Sequence, residues 1–149
     1  MMFIDQMERA IGKPLPLSYR RFLSAFDDFC HVHYNEAKDR FPDSKGTPWF
    51  FWGEQRLGEI SVIHGASKHR ATWEVLSSYA EINAPKGEVQ RSFLERAPFL
   101  VAVAEDEGDL LFMDASDGFS VWIYMHDSGE SKRLEDGFEA WLANASLDE

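Results

Sequence analysis

Cys30-His31-Val32-His33 is the only cluster of soft metal ligands in the chain, and in a strand His31 and His33 share one face. A zinc site needs two further ligands. His64 and His69 stand five positions apart, which fits neither the i, i+4 spacing of a helix nor a C-x-x-C knuckle. Cys30 is also a poor nucleophile candidate, because activation needs a base placed beside it in space, which an adjacent histidine in sequence does not supply. Glu105-Asp106-Glu107-Gly108-Asp109 crowds carboxylates that raise one another's pKa, the raw material of a general acid and base. Asp114-Ala115-Ser116-Asp117-Gly118 opens like a calcium loop, but Met125 stands where the bidentate glutamate belongs. On exposed turns water screens such acids, so both acidic stretches read as solvated hairpin turns. There is no G-x-S-x-G, no P-loop and no G-x-G-x-x-G. The expectation is therefore no catalytic residue, no metal and no cofactor: a binding domain rather than an enzyme.

The charge distribution says what such a domain would bind. Residues 1–98 carry 13 acidic and 13 basic side chains, whereas residues 99–149 carry 13 acidic and 2 basic, so the whole net charge of −11 lies in the last third. Like charges aligned on turns set up a field that steers a basic partner, the alternative being an acidic rim that serves solubility alone. The same field repels phosphates, which with a pI near 4.8 argues against nucleic-acid binding. A single cysteine permits no internal disulfide. MMFIDQMERA lacks the basic and apolar regions of a signal peptide, and apolar runs such as Phe99 to Ala104 are too short to span a bilayer, so the expected location is cytoplasmic, with no membrane partner.

The elements that must carry these residues follow from periodicity. At 149 residues, 44% hydrophobic with 12 Phe and 5 Trp, the chain fits one domain over 1–149 that buries roughly 70% of its unfolded surface. Phe3, Ile4, Met7, Ala10 and Ile11 mark a first helix that Gly12-Lys13-Pro14 stops. Pro16 starts a second, with Tyr19, Phe22, Leu23 and Phe26 on one face. Asp27 to Pro48 shows no period, and its Glu36–Pro48 part reads as a surface loop. Trp49 to Gly53 is an aromatic strand. Ser67 to Ile82 and Glu88 to Ala97 predict helices, the latter stopped by Pro98. Phe99–Ala104, Leu110–Ala115 and Phe119–Met125 form an antiparallel meander with turns at Glu105–Asp109 and Asp117-Gly118. Phe119, Val121, Ile123 and Met125 alternate against Ser120, Trp122 and Tyr124, so Trp122 and Tyr124 are partner anchors if helices cover the other side. Leu134, Phe138, Trp141 and Leu142 share one face of a closing helix, with Glu135 and Asp136 in its first turn.

The order of these blocks resembles the SUKH superfamily, which includes fungal Smi/Knr-like cell-wall regulators and many bacterial immunity proteins. The resemblance rests on PLPLSYRRFLSAF, WFFWGEQRL, LVAVAEDEGDLLFMDASDGFSVWIYMHD and RLEDGFEAWL. Leu15, Pro16, Tyr19 and Phe22 match the family's L-P-x-x-Y-x-x-F helix start. Glu105, Asp106, Gly108 and Asp109 match its acidic-glycine turn, Asp114 its strand-end acid, and Phe138 and Leu142 its final F-x-x-[FW]-L. The chain departs where the family usually has Asn-Gly-Gly after the second helix and this sequence has Asp27-Asp28-Phe29; Glu107 also replaces a turn glycine. The resemblance implies an α+β fold, helices against a mainly antiparallel sheet, and a non-enzymatic immunity protein that binds and neutralises a cognate toxin, often a nuclease. A basic toxin fits the acidic surplus. The expected interface is Glu105, Asp106, Glu107, Asp109, Asp114, Asp117, Trp122, Tyr124 and Asp127. A scaffold or regulatory binding protein of the same superfamily is the alternative, and a carboxylate-based hydrolase the third.

Overall fold

The five residues Leu100 to Ala104 each expose 1% or less of their surface. A strand apolar on both sides must be covered on both. The computed structural model describes residues 2–36, 40, 42–61, 63, 65–83 and 91–147 and shows how this is done. In chain order the elements are α1 (Met2–Ile11), α2 (Leu17–Ser24), β1 (Phe29–Tyr34), β2 (Thr47–Trp52), α3 (Glu54–Gly58), β3 (Ile60–Ser61), β4 (Arg70–Ala71), α4 (Val75–Asn83), α5 (Arg91–Arg96), β5 (Leu100–Asp106), β6 (Asp109–Asp114), β7 (Ser120–Met125), β8 (Glu130–Glu135), α6 (Phe138–Ala143) and β9 (Ala145–Leu147). Seven strands form one antiparallel sheet in the order β8-β7-β6-β5-β2-β1-β9, and β3 pairs with β4 separately. The architecture is α+β, as the resemblance implies.

One sheet face packs on α2 and α6. Phe22 meets Phe51 edge-on at 4.9 Å, Tyr19 meets Phe138 at 5.2 Å, and Trp141 stacks on Tyr34 at 4.9 Å. The opposite face of the meander lies under α4 and α5, where Tyr79 stacks on Tyr124 at 5.6 Å and Phe93 tilts against it at 5.8 Å. The sheet is curled. Tyr34 Oη donates to Glu135 at 2.7 Å and Lys132 Nζ to Glu36 at 3.1 Å, joining β8 to the far side of the strand order. Away from the sheet, α1 buries Ile4, Met7 and Ile11 and ends at Gly12, whose φ of +74° is a left-handed stop. Lys13 Nζ then donates to the Ala115 carbonyl at 2.7 Å.

The structure corrects the sequence reading at several elements. The region without a period contains β1, which buries Val32 and Tyr34 while its other face stays partly open, so no clean alternation marks it. The helix expected over 67–82 begins at Val75, after a 3₁₀ turn over Thr72–Glu74, because Arg70 and Ala71 pair with Ser61 and Ile60. Residues 88–90 of the next expected helix lie outside the described residues, and α5 occupies Arg91–Arg96. Glu105 and Asp106 belong to β5 and Asp109 to β6. The turn is Glu107-Gly108 alone, at φ +49° and +95°, as a two-residue hairpin of this hand demands. Beyond Asp117-Gly118, Phe119 also adopts φ +60°, so that connection is longer than a tight turn. Leu134 and Glu135 lie in β8, an edge strand too polar to show an apolar period, and α6 starts only at Phe138.

Tyr19 is fully buried, its hydroxyl has no hydrogen-bond partner among the described residues, and burial pushes its phenol well above the usual range. A buried donor left unpaired costs about 1–3 kcal/mol. Tyr19→Phe keeps the ring contacts with Phe138, so chemical denaturation should show unchanged or higher stability. A loss above about 1 kcal/mol would mean that the hydroxyl is bonded.

Candidate functional site

Strand direction alternates across the meander, so its turns fall alternately at the two ends of the sheet. The Glu107-Gly108 turn between β5 and β6 and the 126–129 turn between β7 and β8 lie at the same end. The 115–119 connection lies at the other. Of the expected interface residues, Asp106, Glu107, Asp109 and Asp127 are thereby gathered at one end, although nearly twenty positions separate the two turns in sequence. Glu107 and Asp127 are exposed, and Asp106 and Asp109 are partly so. Partial burial, then the charges of Glu107 and Asp109, hold the Asp106 carboxyl above its ordinary pKa.

His126 fastens the two turns together. Its Nδ1 lies 2.7 Å from Asp109 Oδ1, its Nε2 3.0 Å from Asp127 Oδ1, and its backbone N–H donates to Asp109 Oδ1 at 3.1 Å. The imidazole ring also lies so close to Gly108 that a Cβ there would come within 3.0 Å of it. The hydrogen bond that His126 donates to Asp109, with the charges of Asp127 and Asp109 adding to it, raises the His126 pKa. Sequence reading passed over His126, whose one signal is its place at the strand end beside Asp127.

Other members of the expected interface take different roles. Glu105 is exposed but sits in the strand, paired across β2 with Phe50, so it belongs to the face of the sheet rather than to its end. Asp114 and Tyr124 are withdrawn from the surface, which corrects their assignment as partner contacts. Asp114 is fully buried. It accepts from Arg96 Nη1 at 2.8 Å and from the Ser116 backbone N–H at 2.9 Å, and Ser116 Oγ donates to the same carboxylate. Tyr124 is covered by Tyr79 and Phe93 because α4 and α5 close the side on which an open face was expected. Trp122 is half-buried between Phe112, stacked at 6.2 Å, and the Arg96 guanidinium, 5.0 Å above its ring. Its Nε1 donates to Ser120 Oγ, which donates to Asp117 Oδ2, both at 2.8 Å. Asp117 thus marks the end of the sheet remote from His126. Arg96 joins two of these groups, Asp114 and Trp122, and carried no sequence signal.

Cys30 and His31 point to opposite faces of β1, since Cys30 pairs with Phe51 of the core face and His31 with Phe50 of the other. His31 and His33 share their face as expected, His69 lies in the 65–69 segment, and His64 falls outside the described residues. Among the described residues no three His, Cys, Asp or Glu side chains gather as metal ligands, and no helix is long and apolar enough to cross a membrane.

The family model of SMI1 / KNR4 (SUKH-1) matches residues 3–144, nearly the whole chain. The chain belongs to the SMI1/KNR4 family. No match was found among curated proteins or among solved structures. In this SMI1/KNR4 domain the segment Asp27-Asp28-Phe29 makes specific contacts: the Asp28 carbonyl accepts from Gly53 N at 2.8 Å, its carboxylate binds Arg56, and Phe29 opens β1.

Two expectations follow for the acids of this domain. Removing Asp114 breaks its buried pair with Arg96 and leaves the 115–117 turn uncapped, so Asp114→Ala should cost about 2–4 kcal/mol in thermal or chemical unfolding, whereas exposed Asp117→Ala should cost under about 1 kcal/mol. Equal effects would contradict the roles assigned here. His126, observed by NMR, should titrate above the ordinary histidine value of about 6.5 and return toward it in Asp109→Asn. Because its folded pKa is raised, the stabilisation it gives the paired turns is complete below about pH 6.5 and is lost as pH climbs through the raised value.

Proposed function

We propose that this chain is an immunity protein that neutralises a cognate toxin, a basic nuclease domain, by stoichiometric protein–protein binding without catalysis. Membership of the SMI1/KNR4 family, part of the superfamily that includes bacterial immunity proteins, supports the class. The observation that carries the specific reading is the convergence of Asp106, Glu107, Asp109 and Asp127 at one end of the sheet. A nuclease grips phosphate with basic side chains, and a rigid array of carboxylates offers those side chains an alternative. Fixing the acids on paired turns also means that little conformational freedom is lost on binding. No nucleic acid, membrane or cofactor enters this mechanism, and the site of action is the cytoplasm.

The test begins with gene context, because an immunity gene should lie beside the toxin gene. Co-expression of that toxin with this chain should restore growth, and the purified pair should bind one to one. Changing the exposed Glu107 and Asp127 to Lys should slow association about tenfold or more while the melting curve stays nearly unchanged, since exposed charges steer strongly and stabilise little. Association of the unmodified chain should slow with added salt as the Debye length falls from about 10 Å at 0.1 M to about 3 Å at 1 M. It should also quicken as pH rises through the raised pKa of His126, which removes the positive charge at that end. A toxin whose binding ignores charge reversal, salt and pH alike would exclude this surface as the interface.

A further inference from the structure

The second face of the sheet is covered along only part of its width. Register places Tyr124, Leu110, Glu105, Phe50 and His31 in one row across β7, β6, β5, β2 and β1. Tyr124 and Leu110 are buried, whereas Glu105 is exposed and Phe50 and His31 are partly open. Beside this row Phe29 keeps 45% of its surface exposed. An exposed phenylalanine on a sheet is ordinary when it stands alone. This one does not. Phe29 and Phe50 stack with ring centroids 4.9 Å apart, His31 lies edge-on to both at 5.6 and 5.3 Å, and the Arg56 guanidinium sits 5.3 Å from the Phe50 ring and 5.9 Å from Phe29.

The cluster is rigid as well as open. Arg56 is held by a two-point pair with Asp28, Nε to Oδ1 at 2.6 Å and Nη2 to Oδ2 at 3.0 Å. The backbone beneath is fixed by the Gly53 N–H to Asp28 carbonyl bond, and a Cβ on Gly53 would come within 2.2 Å of the Asp27 carbonyl oxygen. Stacked aromatics with a guanidinium are the groups that dominate protein interfaces, and prior ordering removes much of the entropic cost of using them. The charge around Arg56 is acidic: Asp28, Glu59 and Glu105 all act on it. A second copy of the chain would bring its own net charge of −11 toward this acidic rim and be repelled.

We propose that the open face formed by Phe29, Phe50 and His31, rimmed by Arg56 and Glu105, is a second docking surface, and that its occupant is a basic protein segment. The segment lays an apolar or aromatic side chain on the Phe29–Phe50 stack and sets a Lys or Arg against Glu105. This rests on the reading of the chain as a protein-binding domain, and it adds an apolar anchor to the charged end of the sheet.

The probe is a phage-displayed library of short random peptides selected on the wild-type chain and counter-selected on Phe50→Ser. Recovered peptides should combine Lys or Arg with an aromatic or leucine residue. Their affinity should fall about tenfold or more in Phe29→Ser and Phe50→Ser and in Glu105→Lys, and their amide shift changes should centre on β1 and β2. Phe29 and Glu105 are exposed, so those two variants stay folded and decide the matter even if Phe50→Ser melts early. Failure to enrich over the Phe50→Ser bait, peptides without basic residues, or self-association of the chain abolished by Phe29→Ser would each overturn the proposal. Absence of binding to the neighbouring gene's toxin would instead remove the immunity reading, which this selection does not use.

Discussion

Burial of β5 on both sides is the constraint from which the rest of the molecule follows. Leu100 to Ala104 offer no polar side chain to either face, so water must be excluded from both. The α2–α6 pair supplies one cover, through Tyr19, Phe22, Phe138 and Trp141, and α4 with α5 supplies the other through Tyr79 and Phe93. The sheet extends through β2 and β1 beyond the second cover. There the pleat continues to present one side chain in two to the outer face, which is why Phe29, His31 and Phe50 reach solvent while Val32, Trp49 and Phe51 do not.

Where the second cover meets the meander, a charge is placed inside. Asp114 closes β6, caps the following turn through Ser116 and holds Arg96 at the end of α5, and Arg96 in turn spreads over Trp122. A buried carboxylate is tolerable only when its oxygens are met by donors, and here a guanidinium, a backbone N–H and a hydroxyl meet them. The acids of the last third therefore divide by location. Asp114 fixes the helix layer to the sheet, while Asp106, Glu107, Asp109 and Asp127 face outward at the far end and can act on another molecule.

Antiparallel order produces that outward group. Alternate turns of a meander return to the same end, so acids distant in sequence become neighbours, and the repulsion among them is eased by His126 lying between Asp109 and Asp127. In the proposed binding mode the charged end would serve long-range attraction, whereas the aromatic face would work at contact range. A basic partner approaching the first and anchored by the second would use both the speed of electrostatic steering and the persistence of apolar burial.

Local physics made much of this legible from the residues alone. The helical faces of α1 and α2, the two-sided apolar run of β5, the alternation in β7 and the acidity of the last third depend on neighbours in sequence, through periods of 3.6 and 2 or through simple composition. The polar edge strand β8 and the half-open strand β1 were not legible, because a strand that buries few side chains carries little periodic signal and is held by backbone pairing, which leaves no mark on the side-chain pattern. Among the acids, sequence gave the number but not the destination. Asp114 and Asp117 are three residues apart, yet one is fully buried on Arg96 and the other faces water, a difference set by where α5 docks. Tyr124 alternated as a surface anchor would, and only the packing of α4 and α5 over its face put it in the core. Asp28, Phe29, Phe50 and Arg56 became a single surface by the same logic: strand register and the docking of α3 are long-range choices, made by the burial of the whole sheet and not by any one segment.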